Sequence, residues 1–264
     1  MYFIKMNCIF LLFYFIDIFA DNYALGNFCN IFDCGAKHVA CNYTQGSKGP
    51  ACPGKVSNYI VTVFKEELIL KLHNDERNYV AKGRAIGLKP AARMAAMSWD
   101  EQLYIFATIK AVMCTLEPDP CHPTDVFRYS GQNLGHFDYP GEYGNVSVET
   151  AVTNIITKWL SADQNTTQAM VDKFPENLQN TSIDSYALII NERNTHIGCG
   201  IAWIQLADKQ NRILLVCNYA TRNFVGSKIY TSGETASKCN TGLRKFNGLF
   251  GLCSLKEKYN YGPK

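Results

Sequence analysis

The chain has no Cys-x-x-Cys pair, no His pair beside a cysteine, no Gly-x-Ser-x-Gly turn and, after its first twenty residues, no long apolar run. The first two absences remove the signatures of a zinc finger and of a dithiol redox centre. The third removes the nucleophile elbow of a serine hydrolase. The fourth excludes a spanning helix in the body of the chain, since one needs roughly 20 apolar residues. Charge is sparse as well: the formal net value is +3 over 264 residues, which gives no field that argues for nucleic acid. The clearest cationic cluster, Arg244-Lys245 with Lys256 and Lys258, is diluted by Phe, Gly and Leu and reads as a solvated tail. There is no internal repeat and no low-complexity tract.

What is abundant is cysteine, 11 residues in all. Met1–Ala20 carries one early cation, Lys5, then an apolar run from Cys8 to Phe19 broken by Asp17, and ends on a small residue suited to signal-peptidase cleavage. Residues 1–20 therefore read as a secretion signal, and the mature chain starts at Asp21. Cleavage takes Cys8 with it and leaves an even ten cysteines. In an oxidising compartment ten cysteines read as five disulfides. Four Asn-x-Ser/Thr sequons, at Asn42, Asn145, Asn165 and Asn180, are glycosylation candidates and favour exposed loops.

Three parts follow the signal. Residues 21–62 are rich in Cys, Gly and Asn without a sustained period and are expected to be loops held by disulfides. Residues 63–230 carry the regular structure, and 231–264, with Cys239 and Cys253, form a short disulfide-closed extension. Leu68, Leu72, Tyr79 and Val80 recur at helical spacing up to Gly83. Ser98 and Glu101 have capping-box spacing ahead of a stripe of Leu103, Phe106, Ile109 and Met113. Val148, Val152, Ile155, Ile156 and Trp159 predict a third helix over 148–160. Strands are expected at 186–191, 197–206 and 212–219, the last two joined by a polar turn near Asp208. Cys199 and Cys217 are each nine residues from that turn, so an antiparallel hairpin sets them opposite one another. Helices before and between late strands argue for one α+β domain.

Several motifs in order carry a family resemblance: His73-Asn74-Asp75-Glu76-Arg77, Ser98-Trp99-Asp100-Glu101, Gly131-Gln132-Asn133-Leu134, Thr195-His196-Ile197-Gly198-Cys199-Gly200 and Cys217-Asn218-Tyr219. With the Asn27-Phe28-Cys29-Asn30 start, they resemble the antigen 5 branch of the CAP superfamily, the cysteine-rich secretory, antigen 5 and pathogenesis-related proteins. The resemblance implies a three-layer α-β-α sandwich (the CAP domain), with a disulfide-rich N-terminal segment and a short C-terminal extension. It also implies the pairs Cys29–Cys41, Cys34–Cys121, Cys52–Cys114 and Cys199–Cys217, which leaves Cys239–Cys253. It implies an insect salivary or venom allergen-like protein, secreted, monomeric and non-enzymatic. Such a protein would bind a host or extracellular protein, or a small amphipathic ligand. The Arg-Gly-Asp of some salivary relatives is absent.

Many members hold a divalent metal in a cleft with two histidines and two acids, a donor set suited to zinc. Here His73 matches the first histidine. The other three positions hold Gln132, Leu160 and Ser185, a neutral amide, a hydrocarbon and a hydroxyl. No metal and no cofactor are expected, and His73, Gln132 and Ser185 become candidate cleft-binding residues. The alternative is a metal-dependent redox or hydrolytic enzyme whose site is rebuilt around His73 by His136 or Asp184, with Ser185 as the sole nucleophile candidate. His38, His122 and His196, beside cysteines or at a strand start, read as structural or exposed.

Overall fold

The structure is a computed structural model that describes residues 28–263 apart from 33, 42, 60, 61, 208 and 244–247. The secretion signal, the Asn42 sequon, Asp208 and the Arg244-Lys245 pair lie outside the described residues. Among the described residues five α-helices and five strands position the site. The helices are α1 (Val63–Ala81), α2 (Glu101–Ala111), α3 (Val148–Leu160), α4 (Gln168–Asp172) and α5 (Ser182–Ile190). The strands are β1 (Val56–Tyr59), β2 (Ser98–Trp99), β3 (Gly131–Pro140), β4 (His196–Ala207) and β5 (Gln210–Tyr219). The sheet runs β1-β4-β5-β3, antiparallel throughout, with β2 added in parallel to the start of β4.

Side-chain alternation along the central hairpin explains the layers. On one face, Ala202 and Ile204 of β4 and Leu214 and Val216 of β5 pack on Ala107, Ala111 and Val112 at the end of α2. On the other, Ile197, Ile201, Ile213 and Leu215 join α1, α3 and α5 in the main core. Each Ile or Leu so buried contributes on the order of 1.5–3 kcal/mol. This is the α-β-α sandwich that the resemblance implied. Contact on the α2 side is backbone to backbone. A Cβ added at Gly198 would lie 2.1 Å from the Tyr104 nitrogen, and one at Gly200 would lie 2.3 Å from the Thr108 Cα. The Gly-Cys-Gly motif is therefore a packing device, its glycines seating a helix and its cysteine facing the core.

The expected hairpin is present, with Cys199 opposite Cys217. So is the helix over 148–160, capped by Ser147, whose hydroxyl accepts from the Thr150 amide at 3.1 Å. Other expectations need correction. Residues 186–191 form no strand: Tyr186–Ile190 close α5, whose N-cap is Thr181. All five of these residues are buried, and a short run buried all round has no period to separate helix from strand. Ser98 is not the cap of α2. It lies in β2, and Asp100 caps the helix by accepting from the Leu103 amide at 2.9 Å. Met113 falls past the helix end. Of the expected stripe in α1, Val80 is buried but Leu68, Leu72 and Tyr79 are at best half-buried, and the other core-facing side chains are Ile69, His73, Asn74 and Arg77. The buried face of this helix is largely polar, which hides it from a hydrophobic count. Strand β3 had no alternating signal to announce it, and β1 arises inside a segment expected to be loops.

All five pairings are formed: Cys29–Cys41, Cys34–Cys121, Cys52–Cys114, Cys199–Cys217 and Cys239–Cys253. The first closes a loop within the N-terminal segment, and the next two tie that segment to the stretch after α2. The extension beyond 230 is tied into the fold by the Cys253 amide, which donates to Met94 O at 2.8 Å, and by Leu249 and Leu252 in the core. Among the described residues no helix is long and apolar enough to cross a membrane.

Candidate functional site

A cleft of about 530 Å³ opens beside the start of β3, and its wall includes Asp119, His122, Gln132, Asp184, Leu188 and Arg222. Its walls come from segments far apart in sequence and are zipped together by a few bonds. The Ser130 hydroxyl donates to His122 O at 2.7 Å, and the Arg222 amide donates to Tyr129 O at 2.7 Å. Gly131 lies where an added Cβ would touch Thr221 O and the Arg222 Cα at 2.8 and 3.0 Å, so a side chain there would push the 221–223 wall away.

The acids of the cleft are internally satisfied. Asp119 pairs with the buried Lys110 ammonium at 3.3 Å and accepts from Gln132 Nε2 at 3.0 Å. Gln132 Oε1 accepts from the Asp119 amide, and its Nε2 also donates to Asn218 Oδ1. Asp184 accepts from Asn223 Nδ2 on one oxygen and from the Asn180 amide on the other, both at 2.8 Å. Burial raises its pKa against the pull of these two donors. His122 is also buried, and desolvation lowers its pKa. Neither of its ring nitrogens completes a hydrogen bond, although the backbone of Gly131 and Asp119 leans toward the ring.

His73 lies apart from the cleft wall, sealed in the core. Nδ1 bonds Ile69 O at 2.8 Å, and Nε2 bonds the Tyr219 hydroxyl at 3.0 Å. A carbonyl accepts only, so Nδ1 carries the proton and Nε2 accepts from Tyr219. The Tyr219 oxygen in turn accepts from Asn133 Nδ2 at 3.1 Å, which also donates to Ser185 O at 3.0 Å. The structure thus joins His73 and Ser185 in one relay through Tyr219 and Asn133, but the part of Ser185 in that relay is its carbonyl.

Gln132 belongs elsewhere. It pairs across from Asn218 and shares that residue's face of the sheet, toward α2, whereas Asn133 points to the α1 face. His136 lies on the Gln132 side too, half-exposed, with Nε2 3.9 Å from Asp138 Oδ2. Leu160 packs against the main core. Asp184 turns into the cleft. His38 and His196 are structural: His38 bonds Pro123 O and accepts from the Ala40 amide, and His196 rests beside Phe127. Sequence reasoning missed Asp119, His122 and Arg222. The one local signal was the proline-rich run Pro118-Asp119-Pro120-Cys121-His122-Pro123, which marks a stiff loop.

The sequence model described as CAP, the cysteine-rich secretory protein family, matches residues 70–219. The chain belongs to the CAP family. Its relatives include Venom allergen-1 of Aedes albopictus, 34% identical over 88% of this chain and 89% of that protein. The antigen 5 like allergen Cul n 1 of Culicoides nubeculosus is 31% identical over 66% and 82%. Among solved structures, BmVAL-1 shares the fold with a TM-score of 0.60 at 20% identity, over 79% of this chain and 98% of that one. NaASP2 with Zn2+ does so at 0.58 and 22%, over 73% and 96%. This CAP chain does not fit the metal set of two histidines and two acids. The one matching histidine has both nitrogens engaged, and Gln132 is on the other face of the sheet. Among the described residues no three His, Cys, Asp or Glu side chains are grouped to hold an ion.

Burial holds the His73 pKa down to about 4, from 6.5, against the opposing bond to Ile69 and with help from the Arg77 charge. Between those values the unfolded chain binds a proton that the folded chain refuses. Stability is therefore expected to fall as pH drops from 6.5 toward 4, by about 3 kcal/mol from this residue alone. Urea unfolding of wild type and His73→Gln at several pH values checks this. The variant should lose the excess slope, and parallel curves would show that His73 is not the group.

Proposed function

We propose that this CAP chain is a secreted, non-enzymatic antigen 5-like protein of saliva or venom. It takes a small amphipathic molecule, or a segment of a host or extracellular protein, in the cleft beside β3. The observation that carries this reading is an open, polar-walled cleft whose acids and hydroxyl, among the described residues, are engaged with one another and with backbone rather than set as a nucleophile and base. Asp119 and Asp184 are already bonded, the Ser130 hydroxyl is spent on the His122 carbonyl, neither ring nitrogen of His122 has a hydrogen-bond partner among the described residues, and the matching family histidine is closed into the core. Catalysis needs a nucleophile with a base in reach; binding needs only shape and a few oriented polar groups. The names of the insect relatives, venom allergens and antigen 5 like allergens, support the same reading.

The test is elemental analysis of the purified protein together with thermal unfolding in the presence of zinc. No transition metal near one per chain and no zinc-dependent rise in Tm are expected, because a folded-state site would raise stability by mass action. A stoichiometric metal, lost on His73→Ala, would sink the non-enzymatic reading.

The sequons fit secretion. Asn145, Asn165 and Asn180 are all exposed, and Asn180 is on the cleft rim in a left-handed turn at φ 59°. Glycan on Asn180 would stand at the cleft mouth. Intact-mass measurement before and after glycosidase treatment, on wild type and Asn180→Gln, reports whether that site is used; identical mass losses would exclude it.

A further inference from the structure

Among the described residues the most exposed large apolar side chain is Ile86, at 93%. It stands at the tip of a turn that follows α1, between Gly83 at φ 65° and Gly87 at φ 77°. The turn is anchored from below: Ala85 and Leu88 are buried, and the Arg84 amide donates to Tyr79 O at 3.2 Å. Ile86 is thus held out by its neighbours' burial rather than left loose. Around it are cations. Lys82, Arg84 and Lys89 flank the tip, and no acidic residue occurs between Arg77 and Asp100. Neither Lys82 nor Arg84 has a carboxylate partner among the described residues.

A second chain segment adds to the same surface. Phe250, 55% exposed, has the Lys82 ammonium 5.9 Å from its ring centre. The adjacent Gly251 amide donates to Asn78 Oδ1 at 2.9 Å, which fixes the two turns side by side. Tyr79, 40% exposed, is one residue further along α1. The acids nearest this surface are at its margins. Glu234 neighbours Thr235, which donates to Ala81 O, and Asp172 is held by Gln168, whose side chain accepts from the Lys89 amide.

An aliphatic tip, a flanking aromatic and uncompensated cations are the combination that suits a lipid bilayer carrying negative headgroups. The apolar side chains gain by leaving water, and the cations are drawn to the surface potential, each worth about a fivefold gain in partitioning. A soluble polyanion would use the cations but would leave Ile86 in water. We propose that the turn around Ile86, together with Phe250, docks the folded protein onto the surface of an anionic membrane without crossing it. This is independent of the cleft.

The test is co-sedimentation of the mature, disulfide-bonded protein with vesicles of phosphatidylcholine alone and of phosphatidylcholine with phosphatidylserine. Binding is expected only with phosphatidylserine present, and it should weaken as salt is raised. Ile86→Ser should reduce partitioning about tenfold and the double variant Lys82→Gln/Arg84→Gln about 25-fold. Both change exposed or half-exposed side chains, and an unchanged Tm confirms that the fold is intact. Heparin binding is measured in parallel. The proposal is overturned if the protein ignores phosphatidylserine vesicles, or if Ile86→Ser binds them as well as wild type does. The latter, with heparin retained, identifies the patch as a polyanion site instead.

Discussion

Replacing Gly200 by Ala is expected to cost more than about 3 kcal/mol and to leave little folded protein, although the change adds a single methyl group. That methyl would sit 2.3 Å from both the Cα and the nitrogen of Thr108 and 2.5 Å from the Ala107 carbonyl carbon. All three are backbone atoms of α2, so no rotamer change can relieve the clash. The helix has to lift from β4, and with it the contacts of Ala107 and Ala111 with Ala202, Ile204, Leu214 and Val216. Gly144→Ala is the matched control. Gly144 has φ 87° with nothing within 4 Å of an added Cβ, so its cost is confined to backbone strain of about 1 kcal/mol. Chemical unfolding of the two variants decides the matter. If Gly200→Ala is no more costly than Gly144→Ala, α2 does not rest on the sheet as described.

Legibility in the sequence followed burial on one side. Helix α3 has a wide apolar stripe and a polar opposite face, so its period, start and end could be read directly. The β4–β5 hairpin could be read from two apolar runs, the polar turn and the symmetric cysteines. Helix α5 could not, because Tyr186–Ile190 are enclosed by α1, α3 and the sheet and no polar face is left to set a period. Helix α1 was placed correctly and Val80 of its stripe is buried, but Leu68, Leu72 and Tyr79 are not, since the rest of its core face is built of Ile69, His73, Asn74 and Arg77.

The cleft was the least legible part. Its walls come from around 119–122, 128–132, 180–188 and 222–223, loops together with the start of β3 and most of α5, which the fold brings together. The motif residues marked His73, Gln132 and Ser185 as cleft candidates, and of these only Gln132 lines the cleft. His73 closes a relay with Tyr219 and Asn133. Asn74 makes a two-point bond to the Met97 backbone, donating to its oxygen and accepting from its nitrogen. The side chains of His73, Asn74 and Arg77 in the His-Asn-x-x-Arg motif are thus engaged in bonds that hold the core together.

Arg77 completes that motif, and Arg77→Met is expected to be among the most damaging single substitutions in the chain. The guanidinium is fully buried and donates to three backbone oxygens. Nε and Nη2 reach Ala95 O at 2.9 and 2.6 Å, and Nη1 reaches Ile189 O and Asn191 O at 2.7 Å each. One side chain therefore pins α1 to the loop before β2 and to the end of α5. Burial pulls its pKa down to about 10, which still leaves it charged at neutral pH. Methionine nearly matches its length but makes none of these bonds, and each carbonyl stranded away from water costs about 1–3 kcal/mol. A total loss of roughly 3–5 kcal/mol follows, the range found when one side of a buried charged contact is removed. Arg77→Lys should recover only part of it, because a single ammonium lacks the planar fork that spans oxygens on two separate segments. Urea midpoints for the three proteins are expected in the order wild type, Arg77→Lys, Arg77→Met, with the last near the limit of folding. If Arg77→Met stays within about 1 kcal/mol of wild type, the buried fork is not what holds α1 against α5, and the core packing around Ile69 and Val80 must suffice.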